Sequence, residues 1–260
     1  IVINTASLSS PWGSEDDFYL ANVLTQKHII SSSEIVGVNR FIYISSPSIY
    51  YNGLDRIMVK EKDPLPTIFV NNYSKTKREA EVLLENSNLN YIIIRPRAII
   101  GRGDTVIMPR LIKAHSEGRL KIIGNGKNRV DLTSVDNVVE SIILSINASS
   151  KALNNTYNIT NGSPVSLWDS INIVLKGIGK EQVNKTVKFK VAYFAASILE
   201  WVSWITKKEP SLTKYSIGVL SKTFTLDISK AIDLLNYKPI ISTEESIEEF
   251  INWHNENESN

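Results

Sequence analysis

The chain has 260 residues, 42% of them hydrophobic and 22% charged, which is enough to bury a sizeable core in an ordinary soluble globular protein. A formal net charge of +2 is too small to point to nucleic acid or an anionic membrane as the main partner, and no nucleic acid is expected. Zero cysteines exclude disulfides and thiolate metal sites and suit a reducing, cytoplasmic setting, while His28, His115 and His254 lack ligand-like spacing, so no metal is expected.

In chain order, Ile1 to Ala6 reads as a short apolar strand ending in the small residues Ala6 and Ser7. Ser14 can cap a helix from about Glu15 to Val36, closed by Gly37. Asn39 to Ser46 is a second buried strand, and a loop containing Gly53, Pro64 and Pro66 follows. The next helix carries Tyr73, Lys77, Ala80 and Leu83 and leads into a strand at Asn90 to Ile94. Strands alternating with helices imply right-handed crossovers and a parallel sheet covered on both faces.

From Gly101 the alternation loosens. The sequence predicts a helix over Val106–His115, a short strand at Lys121–Ile123 entering a Gly124-Asn-Gly126 turn, and a helix over Val135–Ile146 capped by Ser134. Thr156–Ile159 is a further strand, followed by helices at about Leu167–Leu175, Val191–Ile205, Ile228–Leu235 and Glu244–Trp253. The predicted architecture is α/β. Residues 1–101 and 133–161 form an N-terminally truncated, Rossmann-like doubly wound parallel sheet, and residues 102–132 and 162–260 a smaller, mostly helical substrate lobe. Because the chain opens Ile1-Val-Ile3, like the middle of a buried strand and without an initiator methionine, the gene product is expected to be longer or to have lost a segment.

The chemistry is concentrated in Tyr73-Ser-Lys-Thr-Lys77, read with Ser45-Ser46-Pro47-Ser48 at the end of the preceding strand. A four-residue spacing puts Tyr73 and Lys77 on one helix face, where an ammonium can favour the ionised phenol and lower its pKa. An upstream serine can hold a substrate oxygen beside that phenol. With a hydride carrier, these groups suffice for carbonyl–alcohol interconversion.

Strand, serines, loop, Tyr73 helix and a strand running into Arg95-Pro96-Arg97 occur in the order seen in the extended short-chain dehydrogenases/reductases, the NAD-dependent epimerase/dehydratase superfamily, which the chain resembles from that family's fourth strand onward. The match is carried by Asn22, Ser45-Ser-Pro-Ser-Ile-Tyr50, Tyr73-x-x-x-Lys77, Arg95-Pro96, Gly101-Arg-Gly-Asp104 and Val130 to Asn137. Pro109-Arg110, Gly124 to Arg129, Tyr157 to Gly162 and Leu234 to Pro239 are similar to the 3β-hydroxysteroid dehydrogenase-like branch, which includes 2-alkyl-3-oxoalkanoate reductases.

The resemblance implies that Tyr73 is the general acid/base, that Lys77 holds a nicotinamide ribose and keeps Tyr73 acidic, and that Ser46 hydrogen-bonds the reacting oxygen, with Ser45 and Ser48 as neighbouring candidates. Ser48 is also assigned to substrate. Asn22 either orients water or backbone near Lys77 or serves capping and packing. Ala6, Ser7, Pro96 and Ala98 are assigned to the cofactor, NAD or NADP. Arg129 either meets a substrate phosphate, as in sugar-nucleotide relatives, or pairs with Asp136 at the domain junction.

The departure is the absence of a Gly-x-x-Gly-x-x-Gly turn, so the chain alone is expected to bind dinucleotide poorly and to present its first strand as an exposed apolar edge. Val191–Ile205, interrupted by Glu200, is too short to span a bilayer. It reads as a core helix, as the wall of an apolar pocket, or as a helix resting at a membrane surface. The expected function is NAD(P)-dependent interconversion of a ketone and a secondary alcohol on a bulky apolar 3-oxo or 3β-hydroxy lipid or sterol-like small molecule, with monomer and homodimer both open. The alternatives are a nucleotide-sugar epimerase/dehydratase and a non-catalytic remnant.

Overall fold

The computed structural model describes residues 1–258. β1 (Val2–Asn4) leads through a loop to α1 (Glu15–Phe18), where Ser14 accepts a hydrogen bond from the Asp17 amide and three acidic residues occupy the dipole-favoured first turn. The helix widens into a π-helical stretch (Tyr19–Leu24) and resumes as α2 (Thr25–Val36), so the single helix expected there is three consecutive segments. Gly37 closes it at φ 70°, a left-handed conformation that glycine reaches without a Cβ clash. After β2 (Phe41–Ile44) and a 3-10 turn at Pro47–Tyr50 comes β3 (Arg56–Val59), inside the segment expected to be loop. α3 (Asn72–Glu85), capped by Asn71, and β4 (Tyr91–Pro96) complete the first half.

The second half runs β5 (Ile99–Ile100), α4 (Ile107–Ser116), β6 (Ile122–Ile123), β7 (Arg129–Val130), β8 (Thr133–Ser134), α5 (Val135–Ile146) and β9 (Asn155–Ile159). Then come β10 (Val165–Ser166), α6 (Leu167–Gly177), β11 (Thr186–Val187), α7 (Phe189–Thr206), α8 (Lys214–Ser221), β12 (Phe224–Leu226), α9 (Ser229–Leu235) and α10 (Thr243–Glu258).

The main sheet has the order β1-β2-β4-β9 with every pairing parallel, which is the predicted doubly wound class. Alternation along the strands divides the core. Ile42, Ile92 and Ile94 pack with Tyr157, Ile159 and the flanking residues of α5 and α9, whereas Phe41, Tyr43 and Ile93 pack with Ile30, Ala80 and Leu84 of α2 and α3. Each such side chain, once buried, contributes about 1.5–3 kcal/mol. β1 is an edge strand, with Ile1 and Ile3 exposed as expected.

A smaller sheet, β10-β7-β12-β3, joins residues far apart in sequence: Phe224 pairs with Arg56, and Leu226 with Val59. The short sheet thus draws β3 from the first half against β7, β10 and β12 of the second, and a separate apolar cluster gathers Met108, Trp168, Ile171, Ala196, Ile217 and Phe250. Asp104 caps α4 by accepting from the amides of Val106, Ile107 and Met108, which gives the Gly101–Asp104 motif a structural job. No helix among the described residues is long and apolar enough to cross a membrane.

Candidate active site

The site forms where the carboxyl ends of parallel strands open into loops, the usual ligand crevice of such sheets. β2 delivers Ser45 and Ser46, and the Ser46 hydroxyl accepts from the Ser48 amide at 3.2 Å to start the 3-10 turn. α3 presents Tyr73 in its first turn, fixed by the Asn71 side chain accepting from the Ser74 amide at 2.9 Å. The Tyr73 phenol lies near the hydroxyls of both Ser46 and Ser9, and its ring centroid is 6.5 Å from that of Phe18. Burial pushes the Tyr73 pKa up, and the two serine contacts pull it partly back.

One helical turn on, Lys77 is buried and its Nζ donates to the Ile44 carbonyl at 2.7 Å and to the Tyr43 hydroxyl at 3.3 Å. Nζ also stands 4.7 Å from the Tyr43 ring centroid. Burial lowers its pKa to about 7, against the opposing pull of Glu81. The groups acting to favour the Tyr73 phenolate here are the Ser46 and Ser9 hydroxyls, while Lys77 is buried and tied back to β2.

Of the three candidate serines, Ser46 is the one against Tyr73. Ser45 lies near Glu81, and the Ser45 and Ser48 hydroxyls are both buried with no hydrogen-bond partner among the described residues. Asn22 does not reach Lys77. From the π-helical stretch its Oδ1 accepts from the Leu8 amide at 2.7 Å, and its Nδ2 donates to the Leu8 carbonyl at 3.3 Å and Thr76 Oγ1 at 3.0 Å. It thereby ties the loop bearing Ser9 to the helix bearing Tyr73. π-helical turns are often found at functional sites.

Ala6, whose amide donates to Asn4 Oδ1 at 3.0 Å, and half-buried Ser7 lie in that same loop. Pro96 ends β4 opposite Ile159, and Ala98 bends away at φ 44°, a left-handed conformation rare outside glycine. Arg129 is exposed, with its guanidinium donating to the Pro164 carbonyl. The Arg129–Asp136 pairing is not formed: Asp136 faces Arg102 at 3.9 Å, because β7 directs Arg129 toward β10.

Behind the site, Glu81 is fully buried and accepts from Arg95 Nε and Nη2 at 2.8 and 2.7 Å, and Arg95 also donates to the Tyr50 hydroxyl. This holds α3 at a fixed height on β4. A groove of about 830 Å³ begins at Pro11, two residues beyond Ser9, and runs between α4, α7 and α8 past Leu111, Ala114, Leu199, Leu212 and Ile217. The face of α7 turned away from it carries exposed Phe194, Trp201 and Trp204, so α7 is a groove wall on one side and not the fully buried core helix of one expectation. Ser9, Tyr43, Arg97 and Tyr215 are site residues that the sequence did not signal; each comes from a loop or from an element with no regular spacing to Tyr73.

The profile described as the 3-beta hydroxysteroid dehydrogenase/isomerase family matches residues 1–191. A 2-alkyl-3-oxoalkanoate reductase from Stenotrophomonas maltophilia is 30% identical over 256 residues, spanning 95% of this chain and 78% of that protein. A sterol-4-alpha-carboxylate 3-dehydrogenase, decarboxylating, from Schizosaccharomyces pombe is 28% identical over 97% of this chain and 77% of its own length. Among solved structures, a UDP-glucuronic acid 4-epimerase from Bacillus cereus in complex with NAD superposes with a TM-score of 0.71 at 22% identity, covering 97% of this chain and 73% of that one.

Proposed function

Because this chain belongs to the 3-beta hydroxysteroid dehydrogenase/isomerase family, we propose that it interconverts a ketone and a secondary alcohol on a bulky apolar lipid or sterol-like molecule, with a nicotinamide dinucleotide as redox partner. The observation that carries this reading is the convergence of the Tyr73 phenol with the Ser46 and Ser9 hydroxyls at the carboxyl end of β2, one helical turn from Lys77. Tyr73 gives its proton to the carbonyl oxygen in reduction and takes it back in oxidation. Ser46 hydrogen-bonds the same oxygen and steadies the charge that develops there.

The residues present fit the nicotinamide half of the cofactor. Lys77 and the loops Ala6–Ser7 and Pro96–Ala98 line the strand ends, and the backbone bend at Ala98 opens the approach. When bound, the nicotinamide supplies or accepts the hydride. No glycine-rich turn for the pyrophosphate occurs among the 260 residues.

The groove between α4, α7 and α8, apolar along Leu111, Leu199, Leu212 and Ile217 and edged by Arg110, Lys113, Arg119 and Lys121, has room for an alkyl or sterol body with an acidic head. The S. maltophilia and S. pombe relatives are named for substrates that pair an oxygen function with a carboxylate on the neighbouring carbon, and both would present the required oxygen to Tyr73. The outer face of α7, with Trp204 beside Lys207, suits contact with a lipid surface from which such a molecule would enter, and a cysteine-free chain suits the cytoplasmic side of it. The test is turnover of 2-alkyl-3-oxoalkanoates, 3β-hydroxysteroids and UDP-sugars by the full-length protein, followed by absorbance of reduced nicotinamide. Turnover confined to UDP-sugars would overturn the reading.

A further inference from the structure

Arg97 follows Pro96 at the carboxyl end of β4, the same end of the sheet that carries the Tyr73 site. Only 8% of it is exposed, yet among the described residues its side chain has no ion-pair partner and no hydrogen-bond acceptor, and Nε is wholly enclosed without one. Its guanidinium carbon sits 4.8 Å from the centroid of the Phe224 ring. The titratable neighbours are Tyr51, Tyr215 and Asp131. Tyr51 and Tyr215 stack edge-on with centroids 5.5 Å apart, and Tyr215 is close enough to feel both Arg97 and Tyr73.

Asp131 is the one carboxylate among these neighbours, and it is turned to another task. Its Oδ2 accepts from the Leu226 amide at 2.7 Å, its Oδ1 has no partner, and it forms no ion pair with Arg97. Burial pushes the Asp131 carboxyl up to about 6 and the Arg97 guanidinium down from its usual value. An enclosed guanidinium whose one neighbouring carboxylate makes no ion pair with it is a costly arrangement for a fold to hold. Every other enclosed cation of the site is satisfied: Arg95 by Glu81 and Tyr50, and Lys77 by Ile44 and Tyr43. The planar fork of a guanidinium matches a carboxylate bidentately.

We infer that Arg97 is the specificity-determining residue that receives a carboxylate of the substrate, borne close to the carbon whose oxygen Tyr73 serves. This rests on the redox reading above and narrows it to 3-oxo and 3-hydroxy acids, with the acid head at Arg97 and the apolar body in the groove.

The experiment measures binding of a long-chain 2-alkyl-3-hydroxyalkanoate and its methyl ester to the full-length protein by calorimetry, for the native enzyme and for Arg97→Met and Arg97→Lys, alongside turnover of the corresponding oxo compounds. The native protein should bind the acid at least about tenfold more tightly than the ester. Arg97→Met should bring the two within about twofold, and Arg97→Lys should fall between. The melting temperature of Arg97→Met should stay within about 5 °C of the native one, since the charge removed made no ion pair or hydrogen bond within the protein. Equal binding of acid and ester by the native protein, a preference surviving Arg97→Met, or binding of neither ligand overturns the assignment. So does a fall in melting temperature of more than about 5 °C, which would reveal a structural partner. An Arg97-dependent acid preference without any turnover would uphold the subsite and sink the redox reading.

Discussion

Replacing Lys77 with methionine should flatten a rise of stability with pH. In the fold Lys77 titrates at about 7, against a usual value of 10.5. Between those limits the unfolded chain holds a proton that the native state has released, so unfolding takes up a proton and stability increases as pH rises. One full proton corresponds to about 1.4 kcal/mol per pH unit, giving about 2–3 kcal/mol between about pH 7.5 and 9.5. The buried phenols of Tyr43 and Tyr73 are shifted upward, so they titrate above this window in both states and leave the difference untouched. Urea midpoints taken across the window for native protein and Lys77→Met provide the assay, with the gap in unfolding free energy growing at alkaline pH in favour of the native chain. Parallel curves would show that Lys77 is an ordinary solvated ammonium, and the account of its desolvation under β2 would be wrong.

Tyr73→Phe should lower kcat by about 10²–10⁴-fold while far-UV circular dichroism and melting temperature hold, and retention of more than about a tenth of the rate would remove Tyr73 as the proton donor. Glu81→Ala strands Arg95 inside the protein and should cost about 3–5 kcal/mol, about 6–10 °C in melting temperature; a loss under about 1 kcal/mol would mean that the pair does not anchor α3. Gly218→Ala drives a methyl into the hydroxyl end of Tyr51, a side chain that is itself buried. The expected penalty is about 1–3 kcal/mol by thermal denaturation, and an unchanged melting temperature would contradict the packing of α8 on Tyr51.

The parallel sheet and the Tyr73 site were legible because both are written at short range. β2 and β4 are apolar runs in which nearly every residue is buried, and Tyr73 and Lys77 are one helical turn apart. What escaped the sequence is long-range or irregular. The Met58 amide meets Thr225 Oγ1 across 167 positions, and strands of two to four residues carry too few side chains to show an alternation. Arg97 looked like one of several arginines after a buried strand; its isolation is a property of Phe224, Tyr215 and Asp131, brought beside it only by the lobe. The direction of the Tyr73 shift was misjudged for a related reason. Spacing shows that a lysine is near, but not that burial raises the Tyr73 pKa and lowers that of Lys77.

The wide stretch at Tyr19–Leu24 acts as a rotational spacer in the first long helix. Phe18 before it and Ile30 after it are both buried, Phe18 under the Tyr73 ring and Ile30 on the sheet. Rewinding these same residues as regular α-helix, with none removed, would turn one end against the other by about 100°. Either anchor would then leave its seat, and Asn22 would swing off Leu8 and Thr76. A helix of even pitch could not serve the sheet and the reaction loop at once.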